Sequence, residues 1–272
     1  MSFIRRLISK VQISGYMRFI ARPSPRSRRR PRSVWTRSAA SHCDLVSTSV
    51  RRYSPRMIVL ANSGGVAMTN CFLVADESAK KAVLFDAPDH TTGPLLDEMT
   101  KRGWDLIGLW LTHGHFDHFA DHGVVRKRFP TAQVLIHKLE EPKVRQPDLQ
   151  TRMFGLPFAI PPLKPDAYVE DNQKLRIGSL DLVVILTPGH APGHVAYHFP
   201  KEQLLVGGDL IIGGSVGRTD LPDSDHSQLE ASIRRVMTLP DGTRLLGGHG
   251  DATTLGQERK QNWFVREALG LD

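Results

Sequence analysis

The segment at residues 112–118 contains the densest set of chemically capable side chains in the sequence. It consists of threonine, histidine, glycine, histidine, phenylalanine, aspartate and histidine, and its candidate metal ligands are His113, His115, Asp117 and His118. Imidazole nitrogen and carboxylate oxygen both suit zinc, iron and manganese. A chance H-x-H-x-D-H in this chain is on the order of one in a thousand. We therefore expect these four side chains to converge on a metal site.

Three further candidate ligands occur later in the chain. Each follows a short apolar run and one or two glycine residues, and the three are His190, Asp209 and His249. The ends of strands are rigid places to hold metal ligands, and glycine allows the backbone to approach the site closely. The four elements in this order are a much stronger signal than any one of them alone.

Hydrophobic periodicity predicts the elements that must position these residues. The predicted strands are Met57–Ala61, Met68–Ala75, Lys81–Asp86, Leu106–Thr112, Ala132–His137, Lys174–Ile177, Leu180–Leu186, His194–Phe199, Gln203–Gly207 and Arg244–Gly247. The predicted helices are Thr92–Arg102, Phe116–Phe129, Ser227–Met237 and most of Thr254–Leu269. Strands occur in blocks of two or three between single helices, which predicts sheets covered by helices.

The proline-rich segment Gln146–Asp171 is expected to be irregular. It carries Met153, Phe154 and Phe158, which either line a substrate groove or cover the core. Both alternatives are open at this point.

The basic charge of the protein is concentrated at its N-terminus. Residues 1–43 contain 11 of the 36 basic residues and no acid, so the remaining 229 residues hold 25 bases against 28 acids. Because the rest of the chain is close to neutral, a nucleic-acid partner is not expected. No apolar run approaches the roughly 18 residues of a membrane span.

We expect residues 1–56 to be a basic, disordered leader and residues 57–272 to be the catalytic domain. The leader could be an organelle transit peptide, a disordered arm, or sequence upstream of a true start at Met57. The protein is expected in the cytoplasm, or in an organelle if the leader is a transit peptide. The two cysteines, Cys43 and Cys71, do not indicate a disulfide framework, which favours a reducing compartment.

The order of these motifs resembles that of the metallo-β-lactamase-fold hydrolases over roughly residues 57–262. The Gly-Arg-Thr-Asp-Leu-Pro segment at 217–222 and the Gly-His-Gly segment at 248–250 are similar to the short glyoxalase II-like branch. The resemblance implies an α+β fold, a four-layer αββα sandwich with the site at one edge of its two sheets. It also implies two metal ions: His113, His115 and His190 would bind the first, Asp117, His118 and His249 the second, and Asp209 would bridge them.

The resemblance implies a metal-dependent hydrolase of thioesters or esters. Two divalent ions, zinc or alternatively iron or manganese, would lower the pKa of a bridging water and so activate hydroxide to attack a carbonyl. Asp117 would also orient this nucleophile. Asp86 is either a partner of a ligand histidine or a turn residue. Arg218 either pairs with Asp220 to brace the site loop or contacts an anionic substrate. His122 is expected to be a surface or capping residue, and His194 is expected to be structural.

We expect a small-molecule thioester or ester as substrate. Only 23 residues follow His249, fewer than the helical domain that helps bind glutathione in longer glyoxalase II enzymes, so no strict need for glutathione is expected. Two other reactions are compatible with the pattern: a mononuclear iron persulfide dioxygenase and a nucleic-acid-processing hydrolase of the same fold. The complete second ligand set favours hydrolysis over the first, and the near-neutral core disfavours the second.

Overall fold

The computed structural model describes residues 49–271 of the chain. Its strands are β1 Ser49–Arg52, β2 Met57–Gly64, β3 Thr69–Asp76, β4 Lys81–Phe85, β5 Asp105–Trp110, β6 Gln133–His137, β7 Ala167–Val169, β8 Lys174–Ile177, β9 Leu180–Leu186, β10 Val195–Phe199, β11 Leu204–Gly208, β12 Arg244–Gly247 and β13 Thr253–Thr254. Its α-helices are α1 Thr92–Lys101, α2 Phe116–Phe119, α3 His122–Arg128, α4 Glu141–Arg145, α5 Asp148–Phe154, α6 His226–Val236, α7 Leu255–Gln261 and α8 Trp263–Ala268. A 3₁₀ turn at Lys138–Glu140 leads into α4.

The strands form two sheets. The first has seven strands in the order β1 to β7, and the second has six in the order β13-β12-β11-β10-β9-β8. The first sheet is antiparallel from β1 to β4 and parallel from β4 to β7. In the second sheet only β11 and β12 are parallel.

Alternation along the strands divides the buried side chains into three cores. In β2, Ile58 and Leu60 pack in one core with α1, whereas Met57 and Val59 face a second core between the sheets. Successive strand residues point to opposite faces, so each sheet presents one apolar face to the other and one to helices. Leu205 and α6 lie in the third core, on the outer face of the second sheet. These layers confirm the predicted four-layer αββα sandwich.

The sheet topology brings the candidate ligand segments to one edge of the second sheet. Strand β11 is parallel to β12, and β9 has the same direction because both β9 and β11 are antiparallel to β10. The C-terminal ends of β9, β11 and β12 therefore lie at the same edge. These ends lead directly to His190, Asp209 and His249.

Some predicted boundaries differ from the structure. The folded domain was expected to begin at Met57, but Ser49–Arg52 forms an edge strand that pairs antiparallel with β2 through residues 58–61. An edge strand held by backbone hydrogen bonds needs little apolar patterning, and Val50 is half exposed. Residues 1–48 lie outside the described residues, so a basic leader there stays a prediction, as does any role of Cys43.

Two helical predictions also change in detail. The expected helix Phe116–Phe129 is divided into α2 and α3, with a break at 120–121. The expected irregular segment Gln146–Asp171 contains α5 and the short strand β7. Across residues 49–271, none of the helices combines the length and the apolarity that a membrane crossing requires.

Candidate metal centre

The seven predicted ligand side chains lie together at the edge of the second sheet where β9, β11 and β12 end. Their candidate ligand atoms form three overlapping groups, and within each group the atoms lie within 4.8 Å of one another. The groups are His113 with His115 and His190, His113 with His118 and Asp209, and Asp117 with His118 and His249. Six of the seven residues are buried, and the side chain of His249 is 21% exposed. The structure thus brings together every residue that the sequence pattern singled out.

Three histidine rings form the first group. His115 Nδ1 lies 3.0 Å from His113 Nε2 and 2.9 Å from His190 Nε2. The rings of His113 and His115 meet edge to face, with centroids 4.6 Å apart. This arrangement points three ring nitrogens at one small volume.

The second group combines carboxylates with histidines. The Nε2 atoms of His118 and His249 each lie 3.5 Å from Asp117 Oδ2. Asp209 lies between the two groups, because its Oδ2 is 3.5 Å from His190 Nε2 and 3.3 Å from His249 Nε2. Its other oxygen, Oδ1, is 3.4 Å from His118 Nε2. Asp209 is therefore the geometric link between the groups.

In His113 and His190, the hydrogen bond at Nδ1, away from the centre, determines whether Nε2, toward the centre, carries a proton. His190 Nδ1 lies 2.9 Å from the Arg218 carbonyl oxygen, which can only accept, so Nδ1 carries the proton. The Thr112 hydroxyl donates to Asp86 Oδ2 at 2.9 Å and therefore accepts from His113 Nδ1 at 3.0 Å. In both neutral rings Nε2 is left as a lone pair directed at the centre.

His118 follows the same rule. Its Nδ1 faces Asp86 Oδ2 at 2.8 Å, while its buried Nε2 has no hydrogen-bond partner among the described residues. The buried Oδ1 of Asp209 also lacks one. Buried lone pairs that face each other are costly unless a cation lies between them. The donor set of imidazole nitrogens and carboxylate oxygens therefore fits divalent metal ions.

The electrostatics of the two groups differ. Burial, reinforced by the neighbouring rings, lowers the pKa of His113 and His115 well below the ordinary value. Burial opposes the charged form of His249 as well, but the neighbouring carboxylates outweigh it and raise the pKa of His249 to about 9. Burial would likewise raise the pKa of Asp209, yet His249 and His118 hold it well below its ordinary value. The second group thus attracts positive charge strongly.

Asp86 lies directly after β4 and contacts the ligand loop. It is buried, and its Oδ1 accepts the Thr112 backbone N–H at 2.8 Å while Oδ2 accepts from His118. Its φ is +59°, a left-handed conformation that aspartate tolerates better than most residues. Of the two alternatives for Asp86, the structure thus favours the first, in which Asp86 is the hydrogen-bond partner of a candidate ligand histidine. Cys71 is a buried free thiol that donates to the Asp86 carbonyl oxygen at 3.0 Å.

Arg218 has two separate contacts. Its carbonyl oxygen accepts from His190, and its guanidinium forms a bidentate pair with Asp220, with Nε–Oδ1 at 2.5 Å and Nη2–Oδ2 at 2.6 Å. This pair agrees with the bracing alternative for Arg218. The loop that carries it also fixes the orientation of the His190 ring.

His194 has a larger role than its sequence position suggested. Its ring is fully buried, its Nε2 accepts the Asp209 backbone N–H at 3.0 Å, and its Nδ1 lies 2.8 Å from the Thr187 hydroxyl. Gly208 has a φ of +50°, and a Cβ there would lie 2.6 Å from His194 Nε2. Glycine is therefore required for this approach. The available signal was the position of His194 four residues after His190, at the start of a strand.

Glu140 is a site residue that sequence analysis missed. Its side chain is buried, with Oε2 accepting the Gly114 N–H at 2.9 Å and Oε1 accepting the Gly193 N–H at 2.7 Å. Lys143 Nζ contacts the same carboxylate at 2.9 Å. Glu140 thereby joins the loop that carries His113 and His115 to the loop that carries His190. No local pattern around residue 140 indicates this role.

Gln150 is a second residue that no local pattern indicated. Its Oε1 accepts the Phe116 N–H and its Nε2 donates to the Gly114 carbonyl oxygen, each at 2.9 Å. Gln150 lies on α5, within the segment that was expected to be irregular. Its side chain therefore holds the backbone of the residues immediately before and after His115.

The β2–β3 hairpin supports the second group. Thr69 Oγ1 donates to Asp117 Oδ2 at 2.7 Å, and Thr69 forms an isolated backbone bridge with His249. The side-chain amide of Asn70 donates to the carbonyl oxygens of Gly247 and Gly250, both at 2.9 Å. The hairpin therefore holds the loop that carries His249.

The three apolar residues of the 146–171 segment divide between the two alternatives. Phe154 packs on Phe116, with ring centroids 5.1 Å apart, and Phe154 and Phe158 both pack against the first core. They cover the core. Met153 is 56% exposed and remains the candidate for contact with a substrate. His122 was expected to be a surface or capping residue, but it is buried. A carbonyl oxygen can only accept, so Nδ1 of His122 donates to the Phe119 carbonyl oxygen at 3.0 Å, which is a structural role.

Comparison with known proteins agrees with this geometry. The model of the metallo-β-lactamase superfamily matches residues 64–249. Hydroxyacylglutathione hydrolase GloC of Haemophilus influenzae is 30% identical over 198 residues, covering 72% of this chain and 92% of that protein. Other relatives are described as uncharacterised or as probable metallo-hydrolases.

Solved structures give the same result. The crystal structure of the B3 metallo-β-lactamase BLEG-1 is 34% identical, with a TM-score of 0.70 and coverage of 76% of this chain and 99% of that chain. The crystal structure of TTHA1623 in a di-iron-bound form is 36% identical, with a TM-score of 0.66 and coverage of 74% and 98%. Proteins of this family bind metal ions, and hydrolases are among the relatives. The chain belongs to the metallo-β-lactamase superfamily.

Proposed function

We propose that the protein is a dinuclear metal-dependent hydrolase of thioesters or esters, similar to glyoxalase II. The observation that carries the proposal is the position of Asp209 between two donor groups, with one oxygen near His118 and the other near His190 and His249. Seven protein ligands exceed the four that a single tetrahedral ion takes. A shared carboxylate between two ions accounts for all seven.

The ligands divide naturally between two sites. We assign His113, His115 and His190 to the first ion, Asp117, His118 and His249 to the second, and Asp209 to both. We propose zinc as the metal, with iron or manganese as alternatives. The di-iron form of TTHA1623 supports iron as a genuine alternative.

The side chains prepare this centre in three ways. Asp86, Thr112 and the Arg218 carbonyl oxygen fix ring protons on the outer nitrogens, so the inner nitrogens are free to bind. Thr69 holds Asp117, which we propose orients the attacking water. Divalent ions bound there would lower the pKa of that water and polarise the carbonyl of the substrate.

The proposed substrate is a small acyl thioester. The similarity to GloC, which is named for a glutathione thioester, supports the reaction class. The exposed Met153 is the proposed apolar contact, and we propose no strict need for glutathione. Phe154 and Phe158 are no longer proposed as groove residues because they pack on the core.

Three measurements on the same purified protein test the proposal. Elemental analysis should find about two divalent ions per chain. Thioester hydrolysis, followed with glutathione and simpler thiol conjugates, should be lost on chelation and return with metal. One iron per chain together with oxygen uptake on a persulfide would overturn it in favour of the dioxygenase. Two ions with no activity on any thioester would leave the metal centre standing and reject the substrate.

A further inference from the structure

A tight hairpin turn at residues 211–216 follows the candidate bridging ligand Asp209. The two ends of the turn are joined by an antiparallel backbone bridge between Ile211 and Val216. Leu210 and Ile211 are buried in the third core, which holds the start of the turn in place. Because Asp209 lies only two residues before the turn, the position of the turn bears directly on this carboxylate.

The hairpin turn also packs against the loop that carries His249. A Cβ on Gly247 would lie 2.8 Å from the Ile211 carbonyl oxygen, and a Cβ on Gly213 would lie 3.2 Å from the Asp251 carbonyl oxygen. Both distances are shorter than ordinary van der Waals contact, so the two backbones approach each other as closely as glycine allows. The turn is therefore in direct contact with a second ligand segment.

Two buried polar side chains of the C-terminal helices hold the tip of the turn. Glu258 on α7 is 3% exposed, and Asn262, between α7 and α8, is fully buried. Glu258 Oε2 accepts the Gly214 N–H at 2.9 Å, and Asn262 Nδ2 donates to the Ser215 carbonyl oxygen at 2.9 Å. The same Nδ2 donates to Glu258 Oε2 at 2.8 Å, so the two side chains form one unit.

Helix capping accounts for one half of the Asn262 side chain. Its Oδ1 accepts the N–H groups of Phe264 and Val265, at 3.1 and 3.4 Å, and so caps α8. An oxygen is sufficient for a cap, and serine or aspartate would supply one. The amide donors serve the contacts with Glu258 and with the turn instead. Burial of a carboxylate is costly unless hydrogen bonds offset it, and the turn supplies one of those bonds to Glu258.

We propose that Glu258 and Asn262 are positioning residues of the metal centre, which act through the hairpin turn on Asp209 and His249. The inference rests on the proposed dinuclear site, in which His249 binds the second ion. The three histidines of the first group have a separate support, because Glu140 joins the loops that carry them. Loss of the pair should therefore weaken the second ion more than the first.

Stepwise metal titration of the full-length protein tests the proposal. The protein is stripped of metal and titrated with zinc against a chromophoric chelator, which gives the affinity of each ion. Glu258→Ala should lower the affinity for the second ion about tenfold and that for the first less than about twofold, since outer partners of metal ligands act on this scale. Glu258→Gln retains an oxygen that can accept both hydrogen bonds and should restore most of the affinity.

Glu267→Ala is the matched control, because Glu267 is an exposed glutamate on α8. Asn262→Ser keeps an oxygen that can cap α8 but loses the amide donors, so it should also weaken the second ion. This variant covers the case in which Glu258→Ala fails to fold. Affinities in Glu258→Ala or Asn262→Ser equal to those of the control would overturn the proposal, even if the unfolding temperature fell.

The same titration separates this proposal from the proposed hydrolysis. Metal affinity is measured without substrate, so an absence of thioester activity leaves the comparison of variants intact. A single ion in the unaltered protein would reject the dinuclear site, yet Asp209 lies between both donor groups and would serve one ion as well. Glu258→Ala should then lower the affinity for that ion relative to Glu267→Ala, and equal affinities would again overturn the proposal.

Discussion

Asp86 and His118 form a buried pair in which the ring Nδ1 donates to the carboxylate Oδ2 at 2.8 Å. The same oxygen accepts the Thr112 hydroxyl, which in turn accepts from His113 Nδ1. One carboxylate therefore determines the proton position on two candidate ligands, one in each donor group. A group that contacts no metal itself can in this way control the affinity of both sites.

Asp86→Asn is expected to lower metal affinity about 10- to 100-fold, the usual effect of losing such an outer partner. Asparagine tolerates the left-handed backbone at this position, so the fold should be retained. Competition with a chromophoric chelator measures the affinity. Asp89→Asn is the control, since Asp89 is a nearby buried carboxylate that accepts from Val66 rather than from a histidine. An unchanged affinity in Asp86→Asn would show that the ligand rings orient without this carboxylate.

Glu140→Gln tests the carboxylate that joins two ligand loops. The amide has one oxygen, so it can accept only one of the Gly114 and Gly193 N–H groups. The two loops should therefore separate. Metal affinity should fall several-fold, and turnover should fall with it. Glu141→Gln is the matched control, because Glu141 is the next residue in the sequence but pairs with Arg145 instead of contacting the candidate ligand loops. A purely structural role would lower the unfolding temperature and leave the metal affinity of the folded protein unchanged. Chelator competition alongside thermal unfolding distinguishes the two.

The sequence predicted the part of the site that local patterns encode. Residue type and spacing identify the H-x-H-x-D-H segment and the three candidate ligands that follow glycine. The apolar runs before them predict that they lie where strands end. Glu140 and Gln150 could not be found this way, because they reach the ligand loops through tertiary packing. Strand β1 was missed because an edge strand is held by backbone hydrogen bonds and has little apolar pattern.

Asp117→Ala and His249→Ala are each expected to lower turnover about a hundredfold or more while the fold is retained. Both side chains belong to the second donor group, and loss of a bound ion removes several kcal/mol of transition-state stabilisation. Steady-state thioester hydrolysis in metal-replete buffer measures the effect. Asp97→Ala controls for the loss of an exposed carboxylate, since Asp97 pairs with Arg128 at the surface. Near-native activity in either site variant would reject the two-metal mechanism.

Asp76 is a buried carboxylate that is expected to stabilise the fold and to have no role in catalysis. It is buried at the end of β3 and accepts from Ser78 and Ala79 in its own turn and from the backbone and hydroxyl of Ser179 in the β8–β9 turn. The carboxylate therefore joins the two sheets. Burial alone would raise the pKa of Asp76, but the hydrogen bonds from Ser179 and Ser78 outweigh it and hold the pKa well below its ordinary value.

Asp76→Asn should consequently lower the free energy of unfolding by about 2 kcal/mol at pH 7, because charge-assisted hydrogen bonds are lost. The folded-state pKa of Asp76 is depressed, so its stabilisation is complete above the unfolded value of about 4 and is lost as the pH falls toward the folded value. The stability difference between the variant and the unaltered protein should therefore shrink below about pH 4. Urea unfolding at several pH values measures it, and acid loss of metal cancels because both proteins share the metal centre. Asp105→Asn, which removes an exposed pair with Lys81, should show little effect at any pH. A difference for Asp76→Asn that stays constant into acid would mean that the carboxylate charge does not hold the two turns together.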